Sequence, residues 1–302
     1  MQDEKGNNIT FLSSPIGAQG AIQLTECPRD AMQGWKAFIP SKKKIEYINS
    51  LLKVGFHTID FGSFVSPKAI PQMADTKKVI QKLKVQSSNS KLLAVVANVR
   101  GAEDAIAYHE IYYIGFPFSI SPTFQRRNTN STIEESLVKV DDIQELCIKY
   151  GKQLVLYLSM AFGNPYGDKY SEEVLLHWAD EMAKRNITII SLADTVGVAT
   201  PQQISIALNT LIPKYEHINF GVHLHSREQN WKEKVSAAYN AGCKRFDGAL
   251  KGIGGCPLAN DDLVGNMNTE WLLSFMEEKG EQLSINKQAL NESLLLAEEI
   301  FI

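Results

Sequence analysis

The chain has 302 residues, is 44% hydrophobic and 22% charged, and carries a formal net charge of -3. That balance describes a folded protein with ample core-forming residues and argues against nucleic acid as a partner. No apolar run reaches the about 20 residues of a membrane span, the polar start lacks the charged head and apolar middle of a signal peptide, and the four cysteines show no C-x-x-C spacing, so no membrane contact and a reducing cytoplasm are expected.

Residues 1–20 are rich in Gly, Ser and Asn and read as a loose N-terminal extension; residues 21–302 contain no linker-like stretch and read as one catalytic domain. Short apolar runs of strand character lie at 21–27, 58–63, 91–98, 112–119, 153–160, 188–195, 219–226 and 245–251. Between them, apolar residues recur at helical spacing. The run 42–54 carries Ile45, Ile48, Leu51 and Leu52, and 134–150, 172–185, 230–241 and 270–278 follow the same pattern. Thr132-Ile133-Glu134-Glu135 has the form of a capping box. Thr200-Pro201 sets a cap residue before a first-turn proline. Residues 285–302 form an added C-terminal helical segment, suited either to cover one end of the domain or to meet a second copy in a homodimer.

Strand and helix alternation argues for a parallel sheet, and eight units over about 250 residues predict a (β/α)8 barrel. An open doubly wound sheet is the alternative, but no Gly-x-Gly-x-x-Gly joins a strand to a helix. In a barrel, functional groups gather at the C-terminal ends of the strands. Polar residues stand at those predicted ends: Arg29 and Asp30, Asp60 and Ser63, Asn98 and Arg100, Tyr157 and Ser159, Asp194 and Thr195, His223 and His225.

His223 and His225 sit two apart on a predicted strand, so their imidazoles share one face. Imidazole binds divalent metals, although two histidines satisfied by ordinary hydrogen bonds would look the same in sequence. Asp30 at the same mouth adds a hard oxygen, and Asn266 offers an amide oxygen as a fourth ligand. Mixed His and carboxylate donors suit Mg2+, Mn2+ or a transition metal. Arg29 could neutralise a developing oxyanion or form a plain salt bridge. Cys256, in the Gly-rich run Gly252-Ile253-Gly254-Gly255-Cys256-Pro257, could act as acid, nucleophile or metal ligand, or simply be buried.

Five stretches carry a resemblance. They are Glu26-Cys27-Pro28-Arg29-Asp30-Ala31-Met32-Gln33, Ser63-Phe64-Val65-Ser66-Pro67-Lys68-Ala69-Ile70-Pro71-Gln72-Met73-Ala74-Asp75, Ser191-Leu192-Ala193-Asp194-Thr195-Val196-Gly197-Val198-Ala199-Thr200-Pro201, His223-Leu224-His225, and the Gly252–Pro257 run. The chain resembles the 3-hydroxy-3-methylglutaryl-coenzyme A lyases, among the metal-dependent lyase and synthase barrels. The resemblance implies cleavage of 3-hydroxy-3-methylglutaryl-CoA to acetoacetate and acetyl-CoA, with a divalent cation as cofactor and coenzyme A as part of the substrate. It implies Asp30, His223, His225 and Asn266 as metal ligands, Arg29 at the enolate oxygen, and Cys256 as the proton donor to carbon. Asp194 and Tyr157 match substrate-site residues, and Asp60 stands where the family has Glu. Arg126, Arg127 and Asn128 match a basic stretch that receives coenzyme A. Asp30 or His223 is the base that takes the hydroxyl proton. The chain departs from the family at Ala31, Asn164, Ala193 and Ser226-Arg227-Glu228-Gln229. Two other readings are a condensing synthase acting on an acyl-CoA and a 2-oxoacid, and a non-catalytic barrel that binds without reacting. The short length and the Ser63–Asp75 motif argue against the first, and the intact set of Asp30, His223, His225, Asn266 and Cys256 against the second.

Overall fold

The computed structural model describes residues 20–255 and 264–302. The predicted extension, apart from Gly20, and Cys256 therefore lie outside the described residues. Eight strands, β1 Gln23–Glu26, β2 Thr58–Phe64, β3 Lys91–Val96, β4 Ile111–Ser119, β5 Gln153–Ser159, β6 Ile189–Ala193, β7 Asn219–His223 and β8 Arg245–Gly248, close into one parallel barrel in chain order. Closure is made by β1 and β8, which pair from Gln23 with Arg245 to Glu26 with Gly248. The helices among the described residues are α1 Pro28–Gln33, α2 Ser41–Leu51, α3 Thr76–Ile80, α4 Val99–Ile106, α5 Pro122–Thr129 and α6 Ile133–Lys149. They continue with α7 Glu172–Lys184, α8 Pro201–Lys214, α9 Trp231–Asn240, α10 Thr269–Glu278 and α11 Lys287–Ile300. No helix among the described residues is long and apolar enough to cross a membrane.

Two apolar layers hold this frame, and the period of two along each strand separates them. On β5, Leu154, Leu156 and Leu158 point outward into the large core shared with the helices. Val155 and Tyr157 point inward, where they meet Leu93, Tyr113 and Ile189. The helix starts follow the sequence signals. Thr132 and Glu135 exchange hydrogen bonds as a capping box, and so do Thr200 and Gln203 ahead of Pro201. Each such cap is worth about 1 kcal/mol.

Several expectations needed correction. β7 ends at His223, not at 226, because His225 leaves the parallel ladder to pair in an isolated antiparallel bridge with Asn266. β3 ends at Val96; the side chain of Asn98 caps α4 by accepting from the Gly101 amide, and Arg100 lies exposed on that helix. Asn98 thus serves helix geometry, and Arg100 belongs to the exposed surface of α4. α1 carries Arg29 and Asp30 in a six-residue helix, too short for any periodicity to announce. α11 packs against α2, and Phe301 just beyond it sets its ring edge-on to Trp35 and Tyr47. The C-terminal segment thus joins the outer layer beside α2.

Candidate metal centre at the barrel mouth

The two histidines converge as their spacing predicts, with ring centroids 5.3 Å apart. Ligand atoms of Asp30, His223 and His225 all lie within 4.8 Å of one another. The His223 Nε2 atom is 4.0 Å from Asp30 Oδ2. Asn266 is brought to the same place by its bridge with His225. Its Nδ2 donates to Asp30 Oδ2 at 2.8 Å and to the Ile253 carbonyl at 2.9 Å, whereas its Oδ1 is buried with no partner among the described residues. A buried amide oxygen without a donor is costly, and beside two imidazoles and a carboxylate it is suited to a cation. The donor set of two nitrogens and two oxygens fits a divalent metal of intermediate to hard character.

Each ligand is held from behind. Asp30 Oδ1 accepts from Arg29 Nη1 at 2.9 Å and from Gln33 Nε2 at 2.8 Å, one turn along α1. Burial would raise the pKa of Asp30, but the charges of Arg29, His223 and His225 and the Asn266 hydrogen bond hold it below the ordinary carboxylate value. His223 Nδ1 lies 3.3 Å from Asp247 Oδ2, its register partner on β8. Burial would lower the pKa of His223, but the hydrogen bond and charge of Asp247, with Asp30 behind, raise it. His225 has no such carboxylate hydrogen bond among the described residues; burial first, then the neighbouring His223, brings it down to about 3. A neutral imidazole is the form that binds metal.

Arg29 is fixed at three points. Its Nε and Nη2 grip Asp60 Oδ2 at 3.0 and 2.6 Å, and Nη1 reaches both Asp30 and Gln33 at 2.9 Å. Of the five guanidinium hydrogens, these contacts leave one on Nη2. Asp60 lies in the middle of β2 and not at its end; burial outweighs its pairing with Arg29 and raises its pKa to about 6. Tyr157 is an inward residue of β5, with its ring 5.8 Å from that of His223 and its hydroxyl without a partner among the described residues. Asp194 follows β6 and is closed in: Oδ1 accepts from the Ala199 amide at 2.9 Å and Oδ2 from Lys234 Nζ at 2.7 Å. Arg126, Arg127 and Asn128 lie together on the exposed face of α5, where the Arg127 guanidinium sits 4.6 Å over the Tyr166 ring.

Gly254, at φ +104°, comes so close that an added Cβ would stand 2.6 Å from Asn266 Nδ2 and 2.9 Å from the Asp30 carbonyl. Gly254 therefore passes directly against the ligands, and only glycine fits there.

Sequence reasoning missed Gln33, Asp247 and Lys234. Asp247 had a legible signal: it alternates with Arg245 on a short strand, and a carboxylate two residues from an arginine marks an inward polar face. Cys27 also lies at the centre, with Sγ, His223 nitrogen and Asp247 oxygen mutually within 4.8 Å. Burial, then the nearby carboxylates of Asp247, Asp60 and Asp30, pushes its thiol pKa up, so it stays a neutral thiol.

A family model described as HMGL-like matches residues 22–296. The chain is 32% identical over 269 residues to the mitochondrial hydroxymethylglutaryl-CoA lyase of Rattus norvegicus, covering 88% of this chain and 81% of that one. It is 30% identical over 270 residues to the hydroxymethylglutaryl-CoA lyase YngG of Bacillus subtilis, covering 89% and 88%. Among solved structures, an HMG-CoA lyase from Acenitobacter baumannii in complex with coenzyme A and 3-methylmalate superposes with a TM-score of 0.86 at 30% identity, over 94% of this chain and 92% of that one.

Proposed function

This chain belongs to the HMGL-like family, and from that premise we propose that it is a carbon–carbon lyase that cleaves 3-hydroxy-3-methylglutaryl-CoA to acetoacetate and acetyl-CoA. The observation that carries the site assignment is the convergence of Asp30, His223 and His225, with the buried Asn266 Oδ1, which has no partner among the described residues, beside them. These four residues would hold a divalent cation, Mg2+ or Mn2+ by the hardness of the two oxygens. Once bound, such an ion polarises the tertiary hydroxyl of the substrate and lowers its pKa.

The chain's own groups supply the rest. With Nδ1 of His223 engaged by Asp247, its Nε2 faces the ligand cluster. Asp30 takes the hydroxyl proton. The bond between the carbinol carbon and the methylene of the thioester arm then breaks, giving a ketone, acetoacetate, and a thioester enolate. Arg29 meets the enolate oxygen with its remaining Nη2 hydrogen. Held by Asp60, Asp30 and Gln33, it needs no reorganisation as charge develops. Cys256 returns a proton to the enolate carbon, which completes acetyl-CoA. Arg126, Arg127 and Asn128 receive the phosphates of coenzyme A by charge and hydrogen bonding.

The test is release of acetyl-CoA from 3-hydroxy-3-methylglutaryl-CoA, measured by a coupled assay with and without Mg2+ or Mn2+. Metal-dependent turnover is expected. Full activity in a chelator-stripped sample would remove the metal from the reading. Release of free coenzyme A only when a 2-oxoacid is supplied would assign the chain to the condensing synthases instead.

A further inference from the structure

Lys234 is out of place by every local rule. It lies in the first turn of α9, where the helix dipole disfavours a cation, and it is 2% exposed. A buried ammonium survives only when it is fully partnered. A helical side chain leans toward the helix N-terminus, and Lys234 reaches back to the barrel rim. Its Nζ donates to Asp194 Oδ2 at 2.7 Å, to the His225 carbonyl at 2.8 Å and to the Gly197 carbonyl at 3.1 Å. Three N–H groups meet three acceptors.

The acceptors belong to two adjacent strand ends. Asp194 and Gly197 lie on the turn after β6, and His225 lies just past β7. The same turn is tied to β7 by the Asp194 amide, which donates to the His223 carbonyl at 2.9 Å. It also bears on the segment that delivers Asn266. A Cβ on Gly197 would stand 2.8 Å from Val264, and the Ser226 amide donates to the Gly265 carbonyl at 3.0 Å. One buried cation therefore braces the backbone of one predicted ligand directly and that of another through Val264 and Gly265.

We propose that Lys234 is a positioning residue of the metal centre: by clamping Asp194, Gly197 and the His225 carbonyl it sets the orientation of the His225 imidazole and the Asn266 amide. Asp194 in turn acts through this clamp, since both of its oxygens are engaged away from the ligand cluster. The inference rests on the metal reading above and sharpens it. A purely structural ion pair would support the fold without affecting the affinity for metal.

Two variants separate these roles. Lys234→Met leaves Asp194 buried and unpaired, which by itself destabilises. Lys234→Met combined with Asp194→Asn removes both charges and restores stability, but still leaves the His225 carbonyl without its clamp. Full-length protein is stripped with chelator, and Mn2+ binding is followed by the loss of the free-ion electron paramagnetic resonance signal, with thermal melting in parallel. The expected result is a Mn2+ affinity lowered about 10–100-fold, the range for residues supporting metal ligands, in the double variant as in the single one, although the double variant melts close to wild type. Wild-type affinity in the folded double variant overturns the inference and leaves the metal reading standing. A wild-type protein that binds no Mn2+ overturns both.

Discussion

Asp247 Oδ2 lies 3.3 Å from Nδ1 of His223, and the two residues are register partners on the last two strands of the barrel. The contact orients the imidazole and leaves Nε2 for the cluster of Asp30 and His225. Asp247→Asn keeps the shape but replaces the carboxylate with an amide that can donate as well as accept. Affinity for Mn2+ should fall about 10–100-fold, with a melting transition near that of wild type. Isothermal titration of the stripped variant checks this, and an unchanged dissociation constant would show that the carboxylate does not tune the ligand.

Arg29 serves two carboxylates and an amide through a planar fork. A lysine carries the charge but not the fork. Arg29→Lys should therefore lower kcat on 3-hydroxy-3-methylglutaryl-CoA by about 10²–10³, the range for losing one donor to a developing oxyanion. Steady-state kinetics decide the matter. A lysine variant with wild-type kcat would mean that charge alone is enough and that the three-point fixation is irrelevant.

Glu26 points away from the barrel interior and is fully buried. It accepts from the Leu250 amide at 2.9 Å and the Thr269 hydroxyl at 2.6 Å, yet burial dominates and raises its pKa from 4.5 to about 8. The folded protein thus holds a proton that the unfolded chain releases. The associated stability is fully present below pH 4.5 and is lost as the pH rises through 8. Glu26→Gln should flatten that decline, so the variant melts above wild type at pH 8 and loses the advantage toward pH 5. Melting curves across this range test the sign; parallel pH profiles would contradict it.

Cys256 follows Gly254, which abuts Asn266 and the Asp30 backbone. A thiol, with an ordinary pKa of about 8.5, is a better acid near neutrality than a hydroxyl. Cys256→Ser should retain metal content and lower single-turnover rates about a hundredfold or more. Loss of metal would make the cysteine a ligand instead, and unchanged turnover would remove it from the chemistry.

Eight strands, their parallel order and the shared face of His223 and His225 could all be read from the chain, because alternation with period two and caps such as Thr132 and Thr200 are local properties. The first stretch of resemblance likewise contains Arg29 and Asp30, and the resemblance implied Asn266 as a ligand before any geometry was known. Closure of the barrel decided the rest. Asp247 became the partner of His223 only through the register of β7 on β8. Asn98, equally polar and equally close to a strand end, went to capping α4. His225 left its strand to meet Asn266, 41 positions along the chain. Lys234 found its three acceptors on two strand ends brought side by side. Hydrophobic period and capping depend on neighbours within a turn, and so they show in sequence. Ion pairs and ligand support depend on which strands lie adjacent and in what register, and only the packed tertiary structure sets those distances.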